Sequence, residues 1–245
     1  LIQFAVEEAM EAGIEEIIFV TSHTKKAIED YFSMNYELEH RLKNAGKQEV
    51  IEIIHPKYLD EIKFSFIRQS EPNGLGHAIL QAKHIITDDF FGIILADDLI
   101  LSEPGCFKQL LKIHEKTHSS VLGVFSASEN QVSSYGVISS KNIEGIEKVD
   151  GIVEKPQPAE APSNLAVFGR YILSKDIFSN IEQTKPGLNN EIQLTDAIQE
   201  LISNKDVFAL EFEGRRYDCG SKEGYISAII DRAMSIDKYK SIIEK

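Results

Sequence analysis

The sequence contains few cysteines and no long apolar run, and both shortages exclude classes of protein. Cys106 and Cys219 are the only two cysteines among 245 residues, and neither lies in a CxxC pair or at zinc-ligand spacing from a His cluster. Reduced thiols in a cytoplasmic protein are the simplest interpretation of this usage. No apolar run approaches the roughly 20 residues that cross a bilayer. We therefore expect a cytoplasmic protein with no membrane partner.

Basic residues are also scarce relative to acidic ones. The chain has 26 Lys and Arg against 39 Asp and Glu, which gives a formal net charge of −13 at pH 7. This balance opposes delocalised binding to nucleic acid or to an anionic membrane surface. If the substrate is an anion, the chain must therefore hold it with a local cationic or metal site.

Apolar residues are present in ordinary amount, at 42% of the chain, and their spacing switches repeatedly between helical and strand periods. Repeated strand–helix units predict one α/β domain, Rossmann-like, with a largely parallel sheet flanked by helices. From about 135 to 173, short strand patterns separated by Gly, Pro, Ser and Asn predict a β-rich insert. We expect helices over 2–12, 27–34, 36–42, 78–84, 106–114, 177–182, 192–202, 224–234 and 240–243, and strands over 16–20, 63–67, 90–95, 121–125 and 207–213.

Ligands of open α/β sheets bind beyond the carboxyl ends of the strands, so the residues that follow each strand are the candidates for chemistry. Gln69 follows one predicted strand, and Gly74 and Gly76 lie in the loop after it. The amide of Gln69 can pair with the edge of a base, and glycines let backbone amides approach a ring or a phosphate closely. A simple turn before a helix is the alternative interpretation.

Acidic residues follow two other strands. Asp97 and Asp98 end an apolar strand, and because successive strand residues point to opposite faces, only one of them needs to face a site. Asp218 stands at a later strand–helix junction, where it can reach a shared metal. Mg²⁺ is held by one or two protein carboxylates together with substrate phosphates, which suits this arrangement. Turn and N-cap roles remain the alternatives.

Glu154 and Lys155 emerge together from a further strand, which Pro156 stops. A glutamate can accept hydrogen bonds from neighbouring hydroxyl groups, and a lysine can act as a point charge on a phosphate. A surface ion pair would use the same two residues, so the pattern alone leaves both interpretations open.

Taken together, these segments resemble the bacterial UTP–glucose-1-phosphate uridylyltransferases of the nucleotidyltransferase superfamily, which have a glycosyltransferase-A-like fold. The similarity extends over nearly the whole chain and rests on the order and spacing of several short motifs. These are Arg68-Gln69 with Gly74-Leu-Gly-His-Ala78, Leu95-Ala-Asp-Asp-Leu99, Tyr135-Gly136-Val137, Val153-Glu-Lys-Pro156, Ala161-Pro-Ser-Asn-Leu-Ala166 with Gly169-Arg-Tyr171, Glu191-Ile-Gln-Leu-Thr-Asp-Ala-Ile198 and Asp218-Cys-Gly220.

The resemblance implies an enzyme that forms UDP-glucose and pyrophosphate from UTP and glucose 1-phosphate with Mg²⁺, as a homo-oligomer, dimer or tetramer. Asp98 falls where the family varies, so a metal role for it is doubtful. The implied roles are uracil recognition by Gln69 and Gly74, metal binding by Asp97 with Asp218 beside it, sugar contacts from Gly136 and Glu154, a phosphate contact from Lys155, and a glucose pocket lined by backbone near Val167 and Gly169.

Three alternatives stay open at the level of sequence. One is a related nucleotidyltransferase that uses another nucleotide or sugar, and another is a protein that binds a nucleotide sugar without catalysis. A retaining glycosyltransferase is the third, although Asp97-Asp98 lacks the intervening residue of a DxD motif.

In the family, a Gly-rich signature loop binds the triphosphate, and a helix follows it. The segment that begins at Leu1 resembles this helix, so the loop has no counterpart in the sequence. The sequence is then either a fragment that lacks the family's first strand and this loop, or a degenerate copy of the family, and we expect the fragment.

Overall fold

Strands and helices alternate along residues 1–243, the part of the chain that this computed structural model describes, apart from the side chains of residues 58, 188 and 243. The helices are α1 (Ile2–Glu11), α2 (Lys26–Phe32), α3 (Tyr36–Asn44), α4 (Gln48–Ile54), α5 (Leu75–Leu80), α6 (Cys106–Thr117), α7 (Ile177–Gln183), α8 (Leu194–Asn204), α9 (Lys222–Met234) and α10 (Asp237–Ile243). The strands are β1 (Glu16–Thr21), β2 (Lys63–Arg68), β3 (Phe90–Ile94), β4 (Asp98–Leu101), β5 (Ser120–Ser126), β6 (Gly136–Ile143), β7 (Ile146–Glu154), β8 (Leu165–Ser174), β9 (Val207–Glu211) and β10 (Arg215–Asp218).

Helices α8 and α9 illustrate how local sequence produces these elements. In α8 the buried residues are Leu194, Ala197, Ile198 and Leu201, whose spacing of three and four places them on one face. Helix α9 follows Ser221, whose hydroxyl accepts a hydrogen bond from the backbone amide three residues later. Such a serine cap satisfies one of the free amides of the first turn. Both helices were predicted, and both are confirmed.

Four elements depart from the sequence expectation. Helix α5 begins at Leu75, three residues earlier than expected, immediately after Gly74. Helix α4 lies just beyond the loop that ends α3 and was not predicted. The four-residue strands β4 and β10 were also missed, because each is too short to show an alternating pattern and exists through its pairing with the other.

The sheet is mixed, so the expectation of a largely parallel sheet is not confirmed. Strands β3, β8, β5, β9, β7 and β6 form a six-stranded sheet in that order, and β6 also pairs with β8. Within it only β5 and β9 run parallel among the described pairings, because β8 enters between β3 and β5 in the opposite direction. Strands β1 and β2 form a separate parallel pair, and β4 and β10 an antiparallel one.

The segment from about 135 to 173 contains β6, β7 and most of β8, in keeping with its β-rich pattern. These strands are part of the main sheet and are not set apart from it, since β8 pairs with both β3 and β5. The turn-forming residues between the strands made the segment look separate in the sequence, whereas β8 is buried along nearly its whole length. Its near-continuous apolar run is typical of a strand covered on both faces.

Helices cover both faces of the six-stranded sheet. On one face, α7 and α8 pack against Leu122, Tyr171 and Leu173 of the central strands. On the other face, Val121 and Ile172 pack against α6. Neighbouring residues of β5 and β8 thus enter opposite cores, as the alternation of a strand requires. Among the described residues, the structure shows no helix with the length and apolarity to cross a membrane.

Candidate active site

The loop after β2 is held by the segment that precedes α8. Gln69 Nε2 lies 3.2 Å from the Gly74 carbonyl oxygen and 3.0 Å from His77 Nδ1. Gly74 has a φ of +95°, and a Cβ added there would lie 2.9 Å from the Ile192 carbonyl oxygen. The loop therefore needs glycine both for its backbone conformation and for its close approach to the facing segment. Gln69 is half-buried, and its amide stands at the end of the strand as predicted.

Asp97 and Asp218 both lie beside Gly220. A Cβ built on Gly220 would be 3.1 Å from Asp218 Oδ1 and 3.7 Å from Asp97 Oδ2. The Cys219 amide donates to the Asp97 carbonyl at 2.8 Å, and β4 pairs Asp98 with Asp218 across the ladder to β10. The structure thus brings the two predicted acids together. Asp97 is solvent-exposed, at the rim of a mainly apolar cavity of about 730 Å³ between α1, β1, α5 and β3.

Asp98 lies opposite Asp218 in this ladder and is buried at 8% exposure. Its Oδ1 accepts from Arg216 Nε at 2.6 Å, and its Oδ2 accepts from the Gly169 amide at 2.9 Å. Burial raises the pKa of Asp98 above its usual value, while Arg216 opposes that shift. Because Asp98 is buried and already paired with the Arg216 cation, it serves as an ion-pair partner.

Arg170 holds the turn that carries Asp97. Its Nη1 donates to the carbonyl of Leu95 at 3.1 Å, and its Nη2 donates to the carbonyl of Asp98 at 2.9 Å. The remaining donors bind the Gly169 carbonyl and both carboxylate oxygens of Glu8 in α1. All five guanidinium N–H groups are therefore used, and the carbonyls on both sides of Asp97 are fixed by one buried side chain.

Glu154 and Lys155 stand at the end of β7, next to Gly136 at the start of β6. Glu154 pairs with Gly136 across the strands, and its Oε2 accepts from Thr195 Oγ1 at 2.9 Å. Lys155 Nζ lies 3.3 Å from Glu154 Oε1, and Lys155 has a positive φ of 46°. This left-handed conformation turns the chain sharply after Glu154, so the two side chains leave the strand together. Lys155 is 40% exposed and is accessible to an anion.

Val167 and Gly169 are both buried in β8. Val167 is 4% exposed and belongs to the main core, so its side chain serves packing. A Cβ on Gly169 would lie 2.5 Å from Leu95 Cβ and 2.9 Å from Asp98 Oδ2, so the strand approaches the Asp97 turn more closely than any other residue would allow. A sugar contact of Val167 or Gly169 stays a prediction.

The predicted residues form one continuous arrangement. The segment 191–195 contacts the Gln69 loop through Ile192 and contacts Glu154 through Thr195. Tyr135, the residue before Gly136, donates to Asp218 Oδ2 at 2.8 Å and so joins the strand of the sugar candidates to the acidic pair. Thr195, Tyr135, Arg170 and Arg216 were given no role from sequence, although the first three lie inside the motifs quoted above. Only their spatial partners distinguish them from neighbouring residues.

The donor set suits a hard cation bound together with phosphate. Two carboxylates lie beside Gly220, and carboxylate oxygens are hard ligands. No cluster of three or more His, Cys, Asp or Glu side chains in residues 1–243 is arranged to hold a metal on its own. Mg²⁺ commonly takes one or two carboxylates and completes its shell with water and substrate phosphates. Asp97 and Asp218 therefore fit Mg²⁺ as a substrate-bound ion.

Comparison with known proteins agrees with this geometry. The model of the nucleotidyl transferase family matches residues 1–234. A UTP–glucose-1-phosphate uridylyltransferase of Streptococcus pyogenes is 46% identical over 245 residues, which is 98% of this chain and 80% of that protein. The enzyme of the same name from Pseudomonas aeruginosa is 46% identical over 231 residues, with 93% and 82% of the two chains covered.

Solved structures give the same picture. A UDP-glucose pyrophosphorylase complexed with UDP-glucose superposes with a TM-score of 0.85 at 44% identity, over 96% of this chain and 87% of that one. A UTP-bound UGPase from Acinetobacter baumannii has a TM-score of 0.89 at 35% identity, over 100% and 87% of the two chains. The chain therefore belongs to the nucleotidyl transferase family, among the UTP–glucose-1-phosphate uridylyltransferases.

Proposed function

We propose that this chain forms UDP-glucose and pyrophosphate from UTP and glucose 1-phosphate. The observation that carries the proposal is the continuity of the site. The Gln69 loop, the Asp97 and Asp218 pair, and Glu154 with Lys155 are linked by hydrogen bonds through Ile192, Thr195 and Tyr135. The names of the relatives point to the same substrates.

The reaction needs positioning and charge neutralisation more than it needs a base. An oxygen of the glucose 1-phosphate attacks the α-phosphorus of UTP in line, and the bond from that phosphorus to the oxygen bridging to the β-phosphate breaks. Pyrophosphate leaves with the bonding electrons. The second pKa of a phosphate monoester is about 6, so the attacking phosphate is already mostly dianionic near pH 7. Catalysis then consists of alignment and electrostatic stabilisation.

Lys155 and Glu154 hold the nucleophilic substrate in this proposal. Lys155 is accessible, and its ammonium group is a compact charge suited to the phosphate of the sugar. Glu154 keeps acceptor capacity beyond its bond from Thr195, which it can offer to sugar hydroxyls. Gly136, Val167 and Gly169 belong to the same proposed sugar subsite through their backbone.

The uracil is placed at the other end of the site. Gln69 Nε2 is engaged with the Gly74 carbonyl and with His77, so its Oε1 is the atom that can accept a hydrogen bond from the edge of the base. Gly74 lets the backbone approach a flat ring closely. Asp97 with Asp218 would hold Mg²⁺, which would supply positive charge to neutralise the phosphate oxygens.

A substrate panel with matched variants tests the proposal. In the natural protein that carries these residues, pyrophosphate release is measured with glucose 1-phosphate and each nucleoside triphosphate. We expect preference for UTP and a loss of about 10²-fold or more in kcat/KM for Asp97→Ala and for Lys155→Ala. Asp89→Ala and Lys141→Ala are the controls for the acidic and the basic variant, because each removes one charged partner of an exposed ion pair.

Near-normal turnover of the Asp97 and Lys155 variants would contradict the assignment. Equal use of all four triphosphates would favour a related enzyme with another preference. UDP-glucose binding without pyrophosphate-dependent turnover would favour a binding protein. A cytoplasmic location and a homo-oligomeric state, dimer or tetramer, are further parts of the proposal, and light scattering of the purified protein checks the latter.

A further inference from the structure

Tyr135 and Arg216 form a connection between the buried Asp98 and the half-buried Asp218. The hydroxyl of Tyr135 donates to Asp218 Oδ2 at 2.8 Å. Arg216 approaches the same hydroxyl with Nη1 and Nη2, each at 3.3 Å, and binds Asp98 Oδ1 through Nε. Asp98 and Arg216 each have 10% side-chain exposure, so the ion pair is shielded from solvent.

The Arg216 guanidinium group determines the direction in which the Tyr135 hydroxyl donates its proton. Guanidinium can only donate hydrogen bonds, so both Arg216 contacts occupy acceptor positions on the Tyr135 oxygen. The hydroxyl proton is then directed to Asp218, the acceptor that remains. Hydrogen bonds in such a chain polarise and strengthen one another.

Aromatic rings hold Arg216 in this position. The guanidinium carbon lies 4.5 Å from the centroid of Phe125 and 4.8 Å from that of Tyr135. Phe125 in turn meets Tyr135 edge to face at 5.2 Å. Cation–π contacts of this kind favour a fixed guanidinium plane. The Tyr135 hydroxyl is therefore held at hydrogen-bonding distance from Asp218.

These contacts fix the orientation of the Asp218 carboxylate. Tyr135 binds Oδ2, and the Gly220 amide donates to Oδ1 at 3.1 Å, so both oxygens of the carboxylate are fixed close to Asp97. A carboxylate oxygen that accepts one hydrogen bond retains a lone pair for a cation. Partners that orient a ligand in this way typically matter for metal affinity.

We propose that Tyr135 and Arg216 are positioning residues that orient Asp218 toward the divalent cation, an inference that rests on the metal site of the proposed function. Neither residue touches substrate in this account. Their effect is transmitted through the Asp218 carboxylate, and Asp98 anchors Arg216.

Tyr135→Phe tests the proposal, because it removes one hydroxyl and keeps the ring. Tyr217→Phe is the matched control. Tyr217 is the neighbour of Asp218 in β10 and also donates to an aspartate, but its partner is Asp231 in α9, on the other side of the strand. The natural protein with UDP-glucose is titrated with Mn²⁺, and free Mn²⁺ is measured by electron paramagnetic resonance. Thermal melts check that the variants fold.

We expect Tyr135→Phe to weaken Mn²⁺ binding on the order of tenfold and to raise the Mg²⁺ concentration for half-maximal activity, with kcat retained at saturating Mg²⁺. Tyr217→Phe should bind Mn²⁺ as the unmodified protein does. Asp97→Ala is measured alongside. If Asp97→Ala weakens Mn²⁺ binding but Tyr135→Phe and Tyr217→Phe bind Mn²⁺ equally well, the positioning inference is wrong and the metal site stands. If Asp97→Ala also leaves Mn²⁺ binding unchanged, the metal site itself is wrong and both proposals fail.

Discussion

Replacing Arg170 by methionine tests the role of the buried guanidinium that fixes the Asp97 turn. Arg170 has 1% and Glu8 has 9% side-chain exposure, so the variant leaves the Glu8 carboxylate buried without its cation. Glu8 Oε1 keeps a hydrogen bond from the Phe107 amide, but the carbonyl of Asp98 loses its Arg170 donor. Breaking a buried pair by removing one partner typically costs about 3–5 kcal/mol. We expect the free energy of unfolding to fall by that amount.

Urea unfolding of the natural protein measures the effect, with the midpoint shifting and the slope unchanged. Arg41→Met is the control, because the Arg41–Glu37 pair is 75% and 77% exposed and such pairs contribute about 0–1 kcal/mol. The double variant Glu8→Leu with Arg170→Met should be less destabilised than Arg170→Met alone, because no unpaired charge then stays buried. If Arg170→Met costs no more than the Arg41 control, the argument from burial is refuted.

Three further outcomes follow from particular contacts. Gly74→Ala should lower the melting temperature and weaken UTP binding measured by calorimetry. Gly74 has φ and ψ of +95° and 175°, a conformation that costs other residues about 1–3 kcal/mol. Unchanged UTP affinity would contradict this prediction. Thr195→Val removes the hydroxyl bound to Glu154 and should raise the KM for glucose 1-phosphate about tenfold with the KM for UTP unchanged. Burial raises the pKa of Cys106 to about 12, so at pH 8 a thiol reagent should modify only the partly exposed Cys219 before unfolding, and rapid labelling of both would be inconsistent with the structure.

Local pattern was sufficient to predict most helices and the longer strands. The spacing of apolar residues in α6 and α8 is strongly periodic, and β1 is a short β-branched run that ends in polar residues. The direction of β8 was not predictable in this way, because a run that is apolar on both faces is equally compatible with parallel and antiparallel neighbours.

The site was predictable residue by residue but its supporting contacts were not. Asp97 and Asp218 were expected to meet, and both lie beside Gly220. Asp98 lies 118 positions from Arg216, and nothing in the local sequence of either residue indicates that they pair. Such a contact depends on the packing of β4 against β10, which neither strand encodes alone.

A crystal structure of the natural protein with UDP-glucose and Mn²⁺ tests the central claim most directly. The account predicts an anomalous peak at bonding distance from an Asp97 carboxylate oxygen and beside Asp218, with the uracil at Gln69 and the sugar at Glu154. A nucleotide bound elsewhere, or a metal peak remote from Asp97, would contradict it.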